Sequence, residues 1–200
     1  METDAQLVAS ALAGSQEAFR ELVLRFERPV YSLIVRMVND PGTAEDLAQE
    51  VFVKAFRSLR TYDASRKLSS WLFKIAHNTT IDHLRRHAPD TVSLEAPPDE
   101  EGRGGLGAVL SDESLEDPAA AAERRDMARS LERAISRLRS EYREAVVLFY
   151  VEGASYQEIC DVTGLPLGTV KTNLHRARKE LAAEMAALGW GRETGTAKGS

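Results

Sequence analysis

Three observations predict an all-α fold of two small helical domains. Apolar residues recur at helical spacing through almost every patterned segment, and no alternating run of convincing length interrupts them. Aromatic residues make up only 6% of the chain and charged ones 28%, a balance suited to water-exposed helices. Residues 88–118, APDTVSLEAPPDEEGRGGLGAVLSDESLEDP, are rich in Pro, Gly, Asp and Glu and keep no period. Such a stretch cannot bury enough apolar surface to offset its ordering entropy, so it reads as a flexible acidic linker. The expected layout is a domain over 1–87, the linker over 88–118, a second domain over 119–188 and a frayed tail over 189–200.

In the first domain Phe19, Leu22, Val23, Phe26, Val30, Leu33, Ile34 and Met37 hold one helical face. Pro29 either kinks that helix or begins a second one. DPG at 40–42 makes a turn, and Thr43 with Asp46 three residues on marks the next helix start. That helix, AEDLAQEVFVKAFRSL, buries Leu47, Val51, Phe52, Ala55, Phe56 and Leu59. The loop RTYDASRKLSS leads into WLFKIAHNTTIDHLRRH, capped by Ser69 or Ser70. Trp71, Ile75, Asn78, Asp82 and Arg85 fall on one stripe of it. An indole, an amide and a guanidinium suit unpaired bases, which offer faces to stack on and edges to hydrogen-bond. Equally, Trp71 and Ile75 can be core, with Asp82 and Arg85 forming a local ion pair.

In the second domain Leu131, Ala134, Ile135 and Leu138 define one amphipathic helix. Ser140 opens another, EYREAVVLFYVEG, which Gly153 closes. Ser155 to Glu158 reads as a capping box for a short helix through Val162, which holds Cys160 in a small buried position. Thr163-Gly164-Leu165 turns the chain into GTVKTNLHRARKEL, where Val170, Leu174, Ala177 and Leu181 form a narrow apolar stripe. A short helix, a Gly-containing turn and a second helix with a polar outer face is the helix-turn-helix pattern, whose second helix enters the DNA major groove. Thr169, Lys171, Thr172, His175 and Arg176 lie off the stripe on the N-terminal half. Lysine and arginine pair with guanine edges, and Thr169 can hold a phosphate at the helix start. Arg178 and Lys179 are placed for phosphates.

Charge does not argue against such a partner. The net charge is −5, yet residues 88–118 alone carry 9 acidic and 1 basic side chains, and the rest is slightly basic. No stretch approaches the ~20 apolar residues of a membrane span, and the N-terminus lacks a secretory pattern. One cysteine excludes an internal disulfide framework and fits a reducing cytoplasm. His83 and His87 stand four apart, a metal-binding spacing, but no third ligand lies nearby in sequence; no metal or cofactor is expected. No phosphate-binding loop or nucleophile elbow is present, so nothing supports an enzyme.

AEDLAQEVFVKAFRSL, SSWLFKIAHNTTIDHLRR and LRSEYREAVVLFYVEGASYQEICDVTGLPLGTVKTNLHRARKEL, in that order, resemble the extracytoplasmic-function (ECF) class of sigma-70 RNA polymerase sigma factors. The resemblance covers about 15–87 and 125–182. It implies a region 2 domain that binds core polymerase and the −10 promoter element, and a region 4 domain that binds the −35 element through the helix-turn-helix. It assigns Asp46, Gln49, Glu50, Val53, Lys54 and Arg57 to docking on the polymerase β′ subunit. Ser65, Arg66 and Lys67, in a loop similar to one that captures a flipped base, join Trp71, Asn78, Arg85 and Arg86 as −10 contacts. Thr169, Lys171, Thr172, His175, Arg176, Arg178 and Lys179 become −35 contacts. The implied partners are core RNA polymerase through its β′ and β subunits, promoter DNA, and an anti-sigma factor that holds the protein inactive. The implied location is the cytoplasm, at the nucleoid or held at the membrane by that inhibitor. A stand-alone helix-turn-helix regulator is the alternative.

Overall fold

The computed structural model describes residues 2–87 and 118–190, all helix, turn or loop. The expected linker, apart from Pro118, and residues 191–200 of the expected tail lie outside the described residues. A helix that the sequence reading passed over comes first: α1 (Asp4–Leu12) buries Leu7 and Val8. Its signal was Thr3 followed by Gln6, a capping box in which each side chain bonds the other's backbone N–H. The long α2 (Gln16–Val38) is capped by Ser15 and runs unbroken through Pro29. Asn39, in the left-handed conformation at φ 58°, ends it.

The next helix, α3 (Pro41–Ser58), starts earlier than Thr43. Asp40 is the N-cap, accepting from the Thr43 N–H at 2.7 Å, and Pro41 takes the first helical position, where its missing donor costs nothing. The expected DPG turn is therefore a cap and a first turn. After a short 3₁₀ turn at Leu59–Thr61, α4 (Leu68–His87) begins before Ser69 and Ser70, so neither serine caps it. Leu22, Phe26, Val30, Leu33 and Ile34 of α2 form the middle of the core, against Leu47, Val51 and Ala55 of α3 and Leu72, Phe73 and Ala76 of α4. Phe56, expected in this core, is 61% exposed and packs edge-to-face with Phe19, ring centroids 4.9 Å apart.

In the second domain α5 (Pro118–Arg137) is followed by α6 (Ser140–Val146), with Arg139 rather than Ser140 at the cap position. The expected single helix to Gly153 does not stay α-helical. Over Val147–Val151 its hydrogen bonds widen to i→i+5 spacing, and Gly153 then turns the chain at φ 66°. The short α7 (Tyr156–Thr163) has the expected Ser155–Glu158 capping box, and Gly164 ends it at φ 75°. Cys160 is half-buried rather than buried. Last comes α8 (Leu167–Ala187), which buries Val170, Leu174 and Ala177 as expected, and also Asn173.

The two domains pack together, α6 against α2 and α7 against α4. Arg143 of α6 donates to the carbonyls of Arg36, Ser136 and Leu138 at 2.7, 2.7 and 2.8 Å, and Arg36 pairs with Glu132 at 2.7 Å. Beside them burial lifts the Glu152 carboxyl from 4.5 to about 7, against the opposing pull of Arg36 and a hydrogen bond with Ser32. An acid with a raised folded pKa binds its proton more tightly in the folded state. Its contribution is thus most favourable below pH ~4.5 and declines as pH rises to ~7, by ~3 kcal/mol at most. Asp40 and Asp63, both held below the usual carboxylate range by hydrogen bonds to their anions, act oppositely but only below pH ~4. Thermal melts at pH ~5 and ~8 should therefore show the chain less stable at the higher pH, and Glu152→Gln should remove most of that difference.

Candidate nucleic-acid interface

The helix-turn-helix is built on a small apolar wedge. Ile159 and Val162 of α7 meet Val170, Leu174 and Ala177 of α8, over Val147 and Leu148 behind them. The Gly164 turn sets the two helices at their angle, and Thr163 Oγ1 accepts from the Leu165 N–H at 3.2 Å, completing the corner. With that stripe buried, Thr169, Lys171, Thr172, His175, Arg176, Arg178 and Lys179 are all solvent-exposed. They are not equally available. The Thr172 hydroxyl donates to the Gly168 carbonyl at 2.8 Å, Arg176 Nη1 donates to the Tyr142 hydroxyl at 3.3 Å, and Arg178 Nε leans back to the Leu174 carbonyl at 3.4 Å. Lys171, His175 and Lys179 carry no such tie among the described residues. The Thr169 N–H bonds the Pro166 carbonyl at 2.9 Å, which leaves its side chain exposed at the helix start. The N–H groups beside it that make no bond within the helix are those of Leu167 and Gly168.

A second surface lies on α4. Asn78, Arg85 and Arg86 are exposed, whereas Trp71 and Ile75 are half-buried against the core. The Trp71 ring packs on Tyr62 with centroids 5.6 Å apart. Arg85 pairs with Asp82 at 3.0 Å, and Arg86 Nε donates to the Asp82 carbonyl at 3.1 Å. The stripe is thus divided: its N-terminal end packs and its C-terminal end presents polar groups. The loop before α4 is folded by an Asx turn, the Ser65 N–H bonding Asp63 Oδ1 at 2.9 Å, and by the Tyr62 hydroxyl donating to the Arg66 carbonyl at 2.6 Å. Ser65, Arg66 and Lys67 are exposed, but both cations are engaged by α7. Arg66 Nη1 lies 3.4 Å from Asp161 Oδ2, and Lys67 Nζ lies 2.9 Å from Glu158 Oε1.

A third surface is the outer side of α3. Asp46, Gln49, Val53 and Arg57 are exposed, while Glu50 and Lys54 are half-buried. Lys54 bridges Glu50 at 2.8 Å and the buried Thr79 hydroxyl at 3.0 Å, so it ties α3 to α4 as well as facing outward. The sequence reading missed Phe56 here. It stands seven residues after Gln49 and three after Val53, which puts it on their face rather than in the core. An exposed Phe56 beside Val53, itself 49% exposed, makes an apolar centre in a charged rim, the anatomy of a protein-docking surface.

His83 and His87 stack at 4.1 Å, and burial with the nearby His87 and Arg86 charges pushes His83 below the ordinary histidine value. No group of three or more metal-ligating side chains occurs among the described residues.

Comparison with known proteins completes the description. Residues 22–89 match Sigma-70 region 2 and residues 128–181 match Sigma-70, region 4. The chain is 33% identical to the ECF RNA polymerase sigma factor SigW of Bacillus subtilis, over 88% of this chain and 92% of that protein. The solved structure of CnrH in complex with the cytosolic domain of CnrY is similar, with TM-score 0.61 and 28% identity over 93% of this chain and 99% of that one. The sigma factor RpoE of Bartonella quintana, solved in complex with the anti-sigma factor NepR, shares the fold at TM-score 0.63 and 21% identity, over 84% and 96%.

Proposed function

Because this chain belongs to the ECF class of the sigma-70 family of RNA polymerase sigma factors, we propose a division of its surfaces between polymerase and the two promoter elements. The protein directs RNA polymerase to specific promoters and promotes their opening. The outer side of α3, with Asp46, Gln49, Glu50, Val53, Lys54, Arg57 and the added Phe56, docks on core polymerase. Ser65, Arg66, Lys67, Asn78, Arg85 and Arg86 meet the −10 element, with Trp71 holding the loop through Tyr62 as well as offering a stacking edge. The outer face of α8 reads the −35 element as duplex. The observation that carries this reading is the pairing of a basic recognition helix with a second helical domain that matches region 2. A stand-alone regulator needs only α5–α8 and leaves that whole domain without a task.

On this reading polymerase performs the chemistry. Opening base pairs costs about 1.4 kcal/mol per stacked step, beyond a few side-chain contacts unless a polymerase also grips the DNA. The likeness to CnrH, solved with a protein partner, supports a protein inhibitor of the anti-sigma kind. No helix among the described residues is long and apolar enough to cross a membrane. A polymerase partner places the action in the cytoplasm, with any membrane tether supplied by the inhibitor.

The test is association. The protein should co-elute with core polymerase, and the pair should select promoter fragments from genomic DNA that neither selects alone. Val53→Asp with Phe56→Asp should abolish co-elution while leaving helicity unchanged. Co-elution undiminished by that pair would refute docking through α3.

A further inference from the structure

Of the side chains that the outer face of α8 offers to the −35 element, only Arg176, among the described residues, is held by another helix. Thr172 and Arg178 bond carbonyls of their own helix. Arg176 Nη1 instead donates to the hydroxyl of Tyr142 on α6, at 3.3 Å. Tyr142 is 7% exposed and belongs to the core, where α6 packs against α8. Its ring is thereby fixed, and its oxygen is a stationary acceptor beside an exposed arginine. The contact lies wholly inside the second domain.

The shape of a guanidinium makes this tie informative. All its N–H donors lie in one rigid plane, so fixing one nitrogen restricts the direction of the rest. With Nη1 taken, Nε and Nη2 make no bond among the described residues. Those two share one edge of the plane, a fork that matches the O6 and N7 acceptors of guanine. An untethered arginine has many rotamers, and DNA that must select one of them loses affinity in doing so. A tie made before DNA arrives lowers that cost. The Tyr142 hydroxyl first, and then the Glu180 carboxylate one turn on, favour the charged guanidinium. Without the hydroxyl, Arg176 is left to Glu180, which draws it toward the C-terminal end of α8.

We propose that Tyr142 is a positioning residue for the −35 element: its hydroxyl orients Arg176 so that the free Nε–Nη2 edge meets one base pair. Part of the promoter preference is thus set by α6, outside the helix that enters the groove. This role rests on the reading that Arg176 contacts −35 DNA.

The experiment uses the full chain bound to core polymerase. The probes are a fluorescent promoter duplex selected by the complex from genomic fragments, and single-base-pair variants covering its −35 element. Affinities at one fixed salt concentration give the preference at each position. Arg176→Ala should abolish the preference at one position. Tyr142→Phe keeps the buried ring and removes only the hydroxyl. It should cut the preference at that same position by about 2- to 12-fold, the range for immobilising one long side chain, and leave the other positions unchanged. Added to Arg176→Ala, Tyr142→Phe should change nothing further, because a residue that acts through Arg176 has no effect without it. Circular dichroism establishes that each variant is folded.

Full preference in folded Tyr142→Phe, at the position where Arg176→Ala loses it, overturns the positioning role and leaves Arg176 as a contact. An equal loss on every duplex, with or without Arg176, also overturns it, since Tyr142 then only supports α8. Preferences unaltered by Arg176→Ala overturn the base contact and, with it, the role that depends on it.

Discussion

An Arg143→Ala chain is expected to melt roughly 6–12 °C below the parent, corresponding to about 3 kcal/mol. The guanidinium serves three carbonyls at once. Those of Arg36 and Ser136 lie in the last turns of α2 and α5, and that of Leu138 lies just past α5. Carbonyls at helix C-termini have no N–H of their own helix to accept from, so Arg143 supplies both helix ends with donors. Removing it leaves these carbonyls without their charged donor in a seam that water enters poorly. Arg143→Lys should recover only part of the loss. Its single nitrogen cannot place donors in the two directions that Nη1 and Nη2 cover. A melting temperature within ~2 °C of the parent for Arg143→Ala would mean that the carbonyls find water at no cost.

Lys171→Ala is expected to weaken binding of the polymerase complex to its own −35 element by about 5- to 150-fold, the range for losing one base-edge contact. It should relax sequence preference at one position of the element, as the loss of a base-edge contact from the exposed N-terminal half of α8 would. Arg178→Ala and Lys179→Ala should behave differently. As phosphate contacts they should weaken binding about equally on all sequences, and each should lower the slope of log affinity against log salt by about 1. None of the three residues belongs to the buried stripe of Val170, Leu174 and Ala177, so helicity should be unchanged in all three variants. Equal loss on specific and unrelated duplexes for Lys171→Ala would place that lysine on the backbone instead.

The parts of the fold that were legible from residue order are those governed by neighbours three or four positions apart. The α8 stripe, the Ser155–Glu158 box and the Gly164 turn all belong there, since the cap, the turn and the apolar face each lie within one local window. Helix starts were harder where two caps competed. Asp40 and Thr43 are both good N-caps, and Pro41, which favours the first helical position, was the sign that should have decided for Asp40. Phe56 was misplaced because a large aromatic was assumed to be core, although its spacing from Gln49 and Val53 set it outside. The widened turn at Val147–Val151 has no composition that marks it.

The candidate site was legible residue by residue but not as an arrangement. Nothing near Arg66 or Lys67 in sequence indicates that their counterions stand on α7, some 90 positions away, because i,i+4 patterns say nothing about partners beyond a linker. The same holds for His77, whose partner Glu144 stands 67 positions away. Within α4, by contrast, the reading of the stripe as packing plus a local ion pair is met. Trp71 packs and Arg85 makes its local pair, while Asn78 stays exposed.

Permanganate reactivity of unpaired thymines reports whether this chain, with polymerase, opens promoter DNA. The template is a genomic fragment selected by the complex. Reactivity near −10 should appear only when the protein and core polymerase are both present, and should fall in Asn78→Ala. Tight duplex binding by the protein alone, with no association with core polymerase and no reactive thymines, would contradict that role.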